Sequence, residues 1–127
     1  MYLPPATRPP LFLALSTTFP TSTVTLYDTI CDGRRGFGRM MLKNLRNAGL
    51  DVAGMASTPT VAAWRELLEG GGYGAKVEAV SMLTAYSKVL SGKERAWGEG
   101  REMLDEVEEW EMIMGCYVLA SASNHAN

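Results

Sequence analysis

Seven carboxylates crowd one stretch of this 127-residue chain: Glu99, Glu102, Asp105, Glu106, Glu108, Glu109 and Glu111. Carboxylates in pairs can exchange protons or hold a divalent cation. No histidine or glycine falls among them in a ligand-loop pattern, and Arg101 supplies a counter-charge. A solvated acidic helix face is the reading this spacing favours. Arg34, Arg35, Arg39, Lys43 and Arg46 form a basic counterpart that could fork onto a carboxylate or an acidic peptide. Their spacing equally suits a loop followed by the outer face of a helix. Gly70-Gly71-Gly72-Tyr73-Gly74 invites comparison with a phosphate loop, but such a loop follows a strand and opens a helix. Here a helix comes first and a strand after, with no Lys-Ser or Lys-Thr pair behind. A helix stop with a flexible turn fits better.

Nucleophilic catalysis finds no support. The sole histidine, His125, stands in the polar end Ser121-Ala122-Ser123-Asn124-His125-Ala126-Asn127, expected to be a disordered tail, so no Ser-His-Asp or Cys-His set can be assembled. Cys31 and Cys116 form no pairing or zinc motif, which points to a reducing compartment. No metal ligands and no catalytic residues are assigned. A net charge of -2 gives no electrostatic footprint for nucleic acid. No apolar run reaches the roughly 18 residues of a membrane span. The apolar stretch at residues 11–15 follows four prolines and a single Arg8, which is a poor secretion signal.

The elements that must position these residues follow from periodicity. With 46% hydrophobic and 20% charged residues, the chain has the composition of one globular domain. Residues 22–28 alternate, are rich in β-branched side chains and predict a strand. Residues 11–17 predict a short helix broken by Pro20. Residues 37–48 predict a helix with Phe37, Met40, Met41 and Leu45 inward and Gly49 as a left-handed cap. Residues 50–58 read as connecting loop. Thr58-Pro59-Thr60 opens a helix whose apolar stripe is Val61, Trp64, Leu67 and Leu68. A strand at 76–80, a short helix at 82–90, a longer helix at 93–111 lined by Trp97, Leu104, Val107 and Trp110, and a buried strand at 113–120 complete the chain. Such alternation of helices and strands predicts an α/β fold.

Several segments occur in an order of their own: Met1-Tyr2-Leu3-Pro4-Pro5, Leu26-Tyr27-Asp28, Phe37-Gly38-Arg39-Met40-Met41-Leu42-Lys43-Asn44-Leu45, Pro59-Thr60-Val61, Gly72-Tyr73, residues 82–86, Glu94-Arg95, and Leu104-Asp105-Glu106-Val107-Glu108-Glu109-Trp110. This succession resembles the C-terminal portion of leucine carboxyl methyltransferases, over residues 1 to 120, with 121–127 as tail. The resemblance implies a truncated class I S-adenosylmethionine-dependent methyltransferase fold, containing the C-terminal strands and helices of its sheet. It implies a cytoplasmic enzyme that methylates the C-terminal leucine carboxylate of protein phosphatase 2A catalytic subunits. That carboxylate is already a nucleophile at neutral pH, so the enzyme's work is alignment and charge stabilisation.

In the family, the glycine-rich turn, the ribose-binding acid and a further cofactor-facing acid precede the tyrosine that matches Tyr2. No cofactor-binding residue is therefore expected here, and only Tyr2, Tyr27 and Asp28 carry over as substrate-facing candidates. The chain also departs from the family pattern at Arg35, where an aspartate is usual, and at Cys116-Tyr117, where His-Tyr is usual. The expectation is a chain inactive by itself. The alternative is a non-catalytic binding module or degenerate fragment that docks on the phosphatase or on a full-length homologue.

Overall fold

The computed structural model describes residues 3–34, 36–50, 53–99 and 107–126. A 3-10 turn, Pro5–Thr7, leads into helix α1, Arg8–Thr18, and Pro9 and Pro10 sit in its first turn, where no N–H is needed. Strand β1 is Thr23–Thr29. Helices α2 (Gly36–Asn47), α3 (Ala53–Ser57) and α4 (Val61–Leu68) carry the chain to strand β2, Lys76–Ser81. Helices α5 (Met82–Thr84), α6 (Gly92–Glu99) and α7 (Val107–Met114) precede strand β3, Tyr117–Ser123. Among the described residues no helix is long and apolar enough to cross a membrane.

The strands form one sheet in the order β1-β3-β2. β3 lies antiparallel to both neighbours, so β1 and β2 run the same way with α2, α3 and α4 in the crossover between them. The alternation expected from sequence is thus an α/β architecture around a small antiparallel sheet. The register aligns Leu26, Ala120 and Ala79 in one row and Val24, Ala122 and Val77 in the next. These rows face Phe12 and Leu15 of α1, Trp64, Leu67 and Leu68 of α4, and Tyr73, forming the main core. Arg8 is buried among them. Its guanidinium donates to Thr58 Oγ1 at 2.7 Å and its carbon lies 5.2 Å from the centre of the Trp64 ring. That stack ties α1 to the start of α4 and returns part of the solvation the cation loses.

Several expectations need correction. The apolar run at 113–120 is not one strand. Ile113 and Met114 finish α7, whose end is closed by Gly115 N–H on Glu111 O at 2.9 Å, and Cys116 N–H on Ile113 O at 2.9 Å turns the chain. β3 instead runs on through Ser121 and Ser123, because Val118, Ala120 and Ala122 are the buried period-two set. The polar end expected to be tail is therefore anchored. Asn124 accepts Ser22 N–H at 2.8 Å and donates to Phe19 O at 2.7 Å, pinning the end of α1 to the sheet.

The stretch read as loop holds α3, whose Met55 is fully buried against Cys31, Met41, Leu42 and Leu45. Leu42 rather than Met40 belongs to the inner face of α2, and Met40 is 54% exposed. Gly49 does cap α2, at φ 75°, with Gly49 N–H on Arg46 O and Leu50 N–H on Leu45 O. Of the seam expected along 93–111, Trp97 is 65% exposed and Trp110 packs edge-on against Tyr86 at 4.6 Å. Leu104 and the acids at 102, 105 and 106 lie outside the described residues.

The glycine run is the helix stop expected from sequence: the wider turn that continues α4 from Glu69 breaks at Gly72, and the run is packed, since a side chain on Gly71 would sit 2.4 Å from Phe12 Cβ. Gly72 has φ 88°, a backbone angle that glycine adopts at no steric penalty.

Candidate functional site

The exits of β1 and β2 and the entry of β3 meet at one end of the sheet, since Thr29 pairs with Tyr117 and Ser81 with Val118. An open cleft of about 700 Å³ lies there. Ile30 and Asp32 reach it as the chain leaves β1, and Phe37 and Gly38 as it enters α2. Pro59 and Thr60 bring the start of α4, Ser81 and Leu83 the start of α5. Glu108, Glu111 and Met112 close the side formed by α7, beside Cys116.

Local chemistry explains why these residues converge. A Cβ on Gly38 would lie 2.3 Å from Asp32 O, so only glycine lets α2 approach the loop after β1. The Cys31 thiol donates to Gly38 O at 3.2 Å and fastens the same junction. Asp32 accepts Arg34 N–H at 3.0 Å and grips the Arg34 side chain at 2.9 and 3.0 Å. Thr60 Oγ1 accepts Ala63 N–H at 3.1 Å and Ser81 Oγ accepts Thr84 N–H at 3.1 Å, so both hydroxyls cap the helices they begin.

The cleft therefore has an apolar floor, two helix starts and the carboxylates of Asp32, Glu108 and Glu111, and among the described residues no lysine, arginine or histidine lines it. Neither glutamate makes an ion pair with another described residue. Such walls position an apolar group and repel a free carboxylate. Burial pushes the Cys116 thiol up. Burial, with lesser contributions from Cys116 and Asp32, pushes the Cys31 thiol from an ordinary 9.0 up to about 11. Both thiols are neutral at pH 7 and are poor nucleophiles. Among the described residues no group of histidine, cysteine, aspartate and glutamate is placed to hold a metal ion.

A pH dependence follows from Cys31. Its folded value lies above its unfolded one, so the unfolded chain loses the proton first as pH rises. The stabilisation is complete below about pH 9 and is lost as pH climbs toward about 11. Urea midpoints for the wild type are expected to fall across that window. For Cys31→Ala the part of the fall due to this thiol disappears, and identical pH slopes for the two proteins would remove the assignment.

Tyr27 and Asp28, carried over as substrate-facing, both lie on β1 outside the cleft lining. Tyr27 is 57% exposed and stacks on Tyr117, with ring centres 5.2 Å apart and planes 5° apart. Asp28 Oδ1 accepts Thr29 N–H at 2.7 Å. Tyr2 lies outside the described residues. Of the basic patch, Arg34 is paired with Asp32, Arg39, Lys43 and Arg46 are exposed on α2, and Arg35 lies outside the described residues. Sequence reasoning took Glu108 and Glu111 for solvated acids and missed that their helix borders a cleft. One signal was available: Phe37-Gly38, Pro59-Thr60-Val61 and Glu108 all belong to the ordered segments quoted above, and all reach the cleft.

No protein-family model matches the chain. It is 30% identical over 123 residues, 97% of its length, to leucine carboxyl methyltransferase 1 of Yarrowia lipolytica. It is 31% identical over 126 residues, 99% of its length, to the leucine carboxyl methyltransferase 1 homolog of Arabidopsis thaliana. The chain spans about 37% of the length of each of these two relatives. It is also 27% identical over 122 residues, 96% of its length, to tRNA wybutosine-synthesizing protein 4 of Rattus norvegicus, of which it spans 18%.

Proposed function

We propose that this chain, related along nearly its whole length to the leucine carboxyl methyltransferases, is a section of a class I methyltransferase domain of that family. In this reading it corresponds to the C-terminal portion of the domain, and the complete domain transfers a methyl group from S-adenosylmethionine to the C-terminal leucine carboxylate of protein phosphatase 2A catalytic subunits. The observation that carries the reading is the span itself: nearly all of the chain matches about 37% of each methyltransferase relative. The same stretch matches a relative of another name, which supports a framework role over a substrate-choosing one.

The residues present do not fit the cofactor. The one glycine-rich run is closed against α1: a side chain on Gly71 would meet Phe12 at 2.4 Å, and one on Gly72 would meet Ser16 Oγ at 2.4 Å. No cradle for a ribose remains there. Among the described residues the cleft at the strand ends brings Glu108 and Glu111 together with no lysine, arginine or histidine, which disfavours the carboxylate of a peptide terminus. We therefore assign this chain alone no methyl transfer and derive no step through the cofactor.

Calorimetric titration of the purified chain with S-adenosylmethionine is expected to give no heat of binding. Micromolar affinity would overturn the reading of the chain as a cofactor-free section. A non-catalytic binding module is the second reading, favoured by the open apolar cleft. Capture of the phosphatase catalytic subunit by the chain, with no cofactor binding, would select it.

A further inference from the structure

We propose that Arg8 and Trp64 hold a chloride ion in the interior, where α1 packs against the start of α4. The inference is independent of the methyltransferase reading, because every group it uses is packed inside this chain.

Arg8 is 3% exposed and Trp64 4%. A guanidinium keeps its charge throughout the pH range in which proteins fold. Buried charges are normally paired, because water would otherwise solvate them far better. Arg8 forms no ion pair with a described residue. Its Nη1 donates to Thr58 Oγ1 at 2.7 Å and to Ser57 Oγ at 3.4 Å. Both hydroxyls are neutral, and both give their own protons to Gly54 O, at 3.2 Å from Thr58 and 2.9 Å from Ser57. They accept from the cation without balancing its charge. The face of the Trp64 ring, its centre 5.2 Å from the guanidinium carbon, offsets only part of the lost solvation.

Two donors of this pair remain. Arg8 Nη2 and Trp64 Nε1 are both buried, and neither has an acceptor among the described residues. Buried donors nearly always have one. The unfilled donors thus sit on two side chains stacked on each other, and one of them belongs to the uncompensated cation.

The chemistry of the pair selects the ligand. Water fills both donors and leaves the charge unbalanced, whereas an anion does both. A sulfate or phosphate spreads two charges over several oxygens, each wanting a donor, and this pair offers two N–H groups and one positive charge. A carboxylate brings carbon into an already close-packed interior. Chloride has one atom and one charge, which matches.

Urea unfolding of the 127-residue chain tests this, with chloride exchanged for the bulky anion gluconate at constant ionic strength. The folding equilibrium constant is expected to rise about tenfold on reaching about 100 mM chloride, for a dissociation constant of about 10 mM. Salts that act only by exclusion from the surface rank sulfate above chloride, so the order expected here is the reverse. Arg8→Met keeps an apolar stem and is expected to lose the chloride response. Arg46→Met, at an exposed arginine of α2, is expected to keep it. In nuclear magnetic resonance of the wild type, the Trp64 Nε1 proton signal is expected to move saturably with chloride and to stay still with gluconate. Trp64→Phe identifies that signal among the three tryptophans. Indifference to the anion, a larger gain from sulfate, a chloride response retained by Arg8→Met or a motionless Trp64 signal would each overturn the proposal. If Arg8→Met fails to fold, the anion order and the Trp64 signal of the wild type decide.

Discussion

Tyr73→Ala is expected to destabilise the chain by about 3–5 kcal/mol, the range for deleting a large aromatic side chain from a packed core. Tyr73 is 1% exposed, meets Phe12 edge-on at 6.4 Å, and lies in the cluster with Trp64, Leu68 and Val118. A domain of this size has roughly 5–15 kcal/mol in total, so the loss is a large share of it. The ring, rather than the hydroxyl, carries the effect. The hydroxyl reaches only Ser22 Oγ, at 3.3 Å, so Tyr73→Phe is expected to cost about 0.5–1.5 kcal/mol. Urea titrations followed by tryptophan fluorescence report both, because Trp64 shares the cluster. Equal losses for the two variants would sink the packing account and assign the stability to the hydroxyl.

Gly38→Ala is expected to lose about 3 kcal/mol, the upper end of the range for overpacking a well-filled site. The added carbon would meet Asp32 O at 2.3 Å, and a backbone carbonyl cannot swing aside as a side chain can. Relief requires α2 to move off the loop after β1, which also separates Cys31 Sγ from Gly38 O and opens the wall of the cleft formed by Asp32 and Phe37. Gly36→Ala is the matched control. It lies on the same helix, nothing stands within 4 Å of its added carbon, and its φ is not left-handed. Alanine there is expected to raise stability by about 0.4–1 kcal/mol through the unfolded chain's lost freedom. Thermal melts of the pair should move in opposite directions. A shared direction would mean that close approach at Gly38 is not what matters.

The same two positions show what a linear reading can reach. Phe37-Gly38 was legible as the start of a helix, but the need for glycine at 38 comes from Asp32, which no local rule addresses. Tyr73 was legible only as part of a glycine-rich stop. Its burial depends on Gly72 at φ 88° turning the chain so that the ring returns to Phe12 of α1. Among the site candidates, Tyr27 and Asp28 came from resemblance rather than from spacing, and both fall on β1 outside the cleft lining. Glu108 and Glu111 carried no signal separating them from their acidic neighbours, because exposure to a cleft and exposure to bulk water look alike in a helical pattern.

Period and punctuation determined by themselves the elements of this protein whose signals are local. β1 follows from alternation of β-branched residues, the end of α2 from Gly49, and the start of α4 from Thr60 behind Pro59. Tertiary structure alone decided the central place of β3, whose buried residues are Val118 and two alanines and whose outward residues include serines. Alanine and serine have little strand preference of their own. The alanines are buried because their face of a strand hydrogen-bonded on both sides packs under Trp64 and Leu68, while the serines alternate to the opposite face. The cleft has the same origin. Its walls come from segments far apart in the chain, and only the crossover between parallel β1 and β2, with β3 returning between them, brings those segments to one end of the sheet.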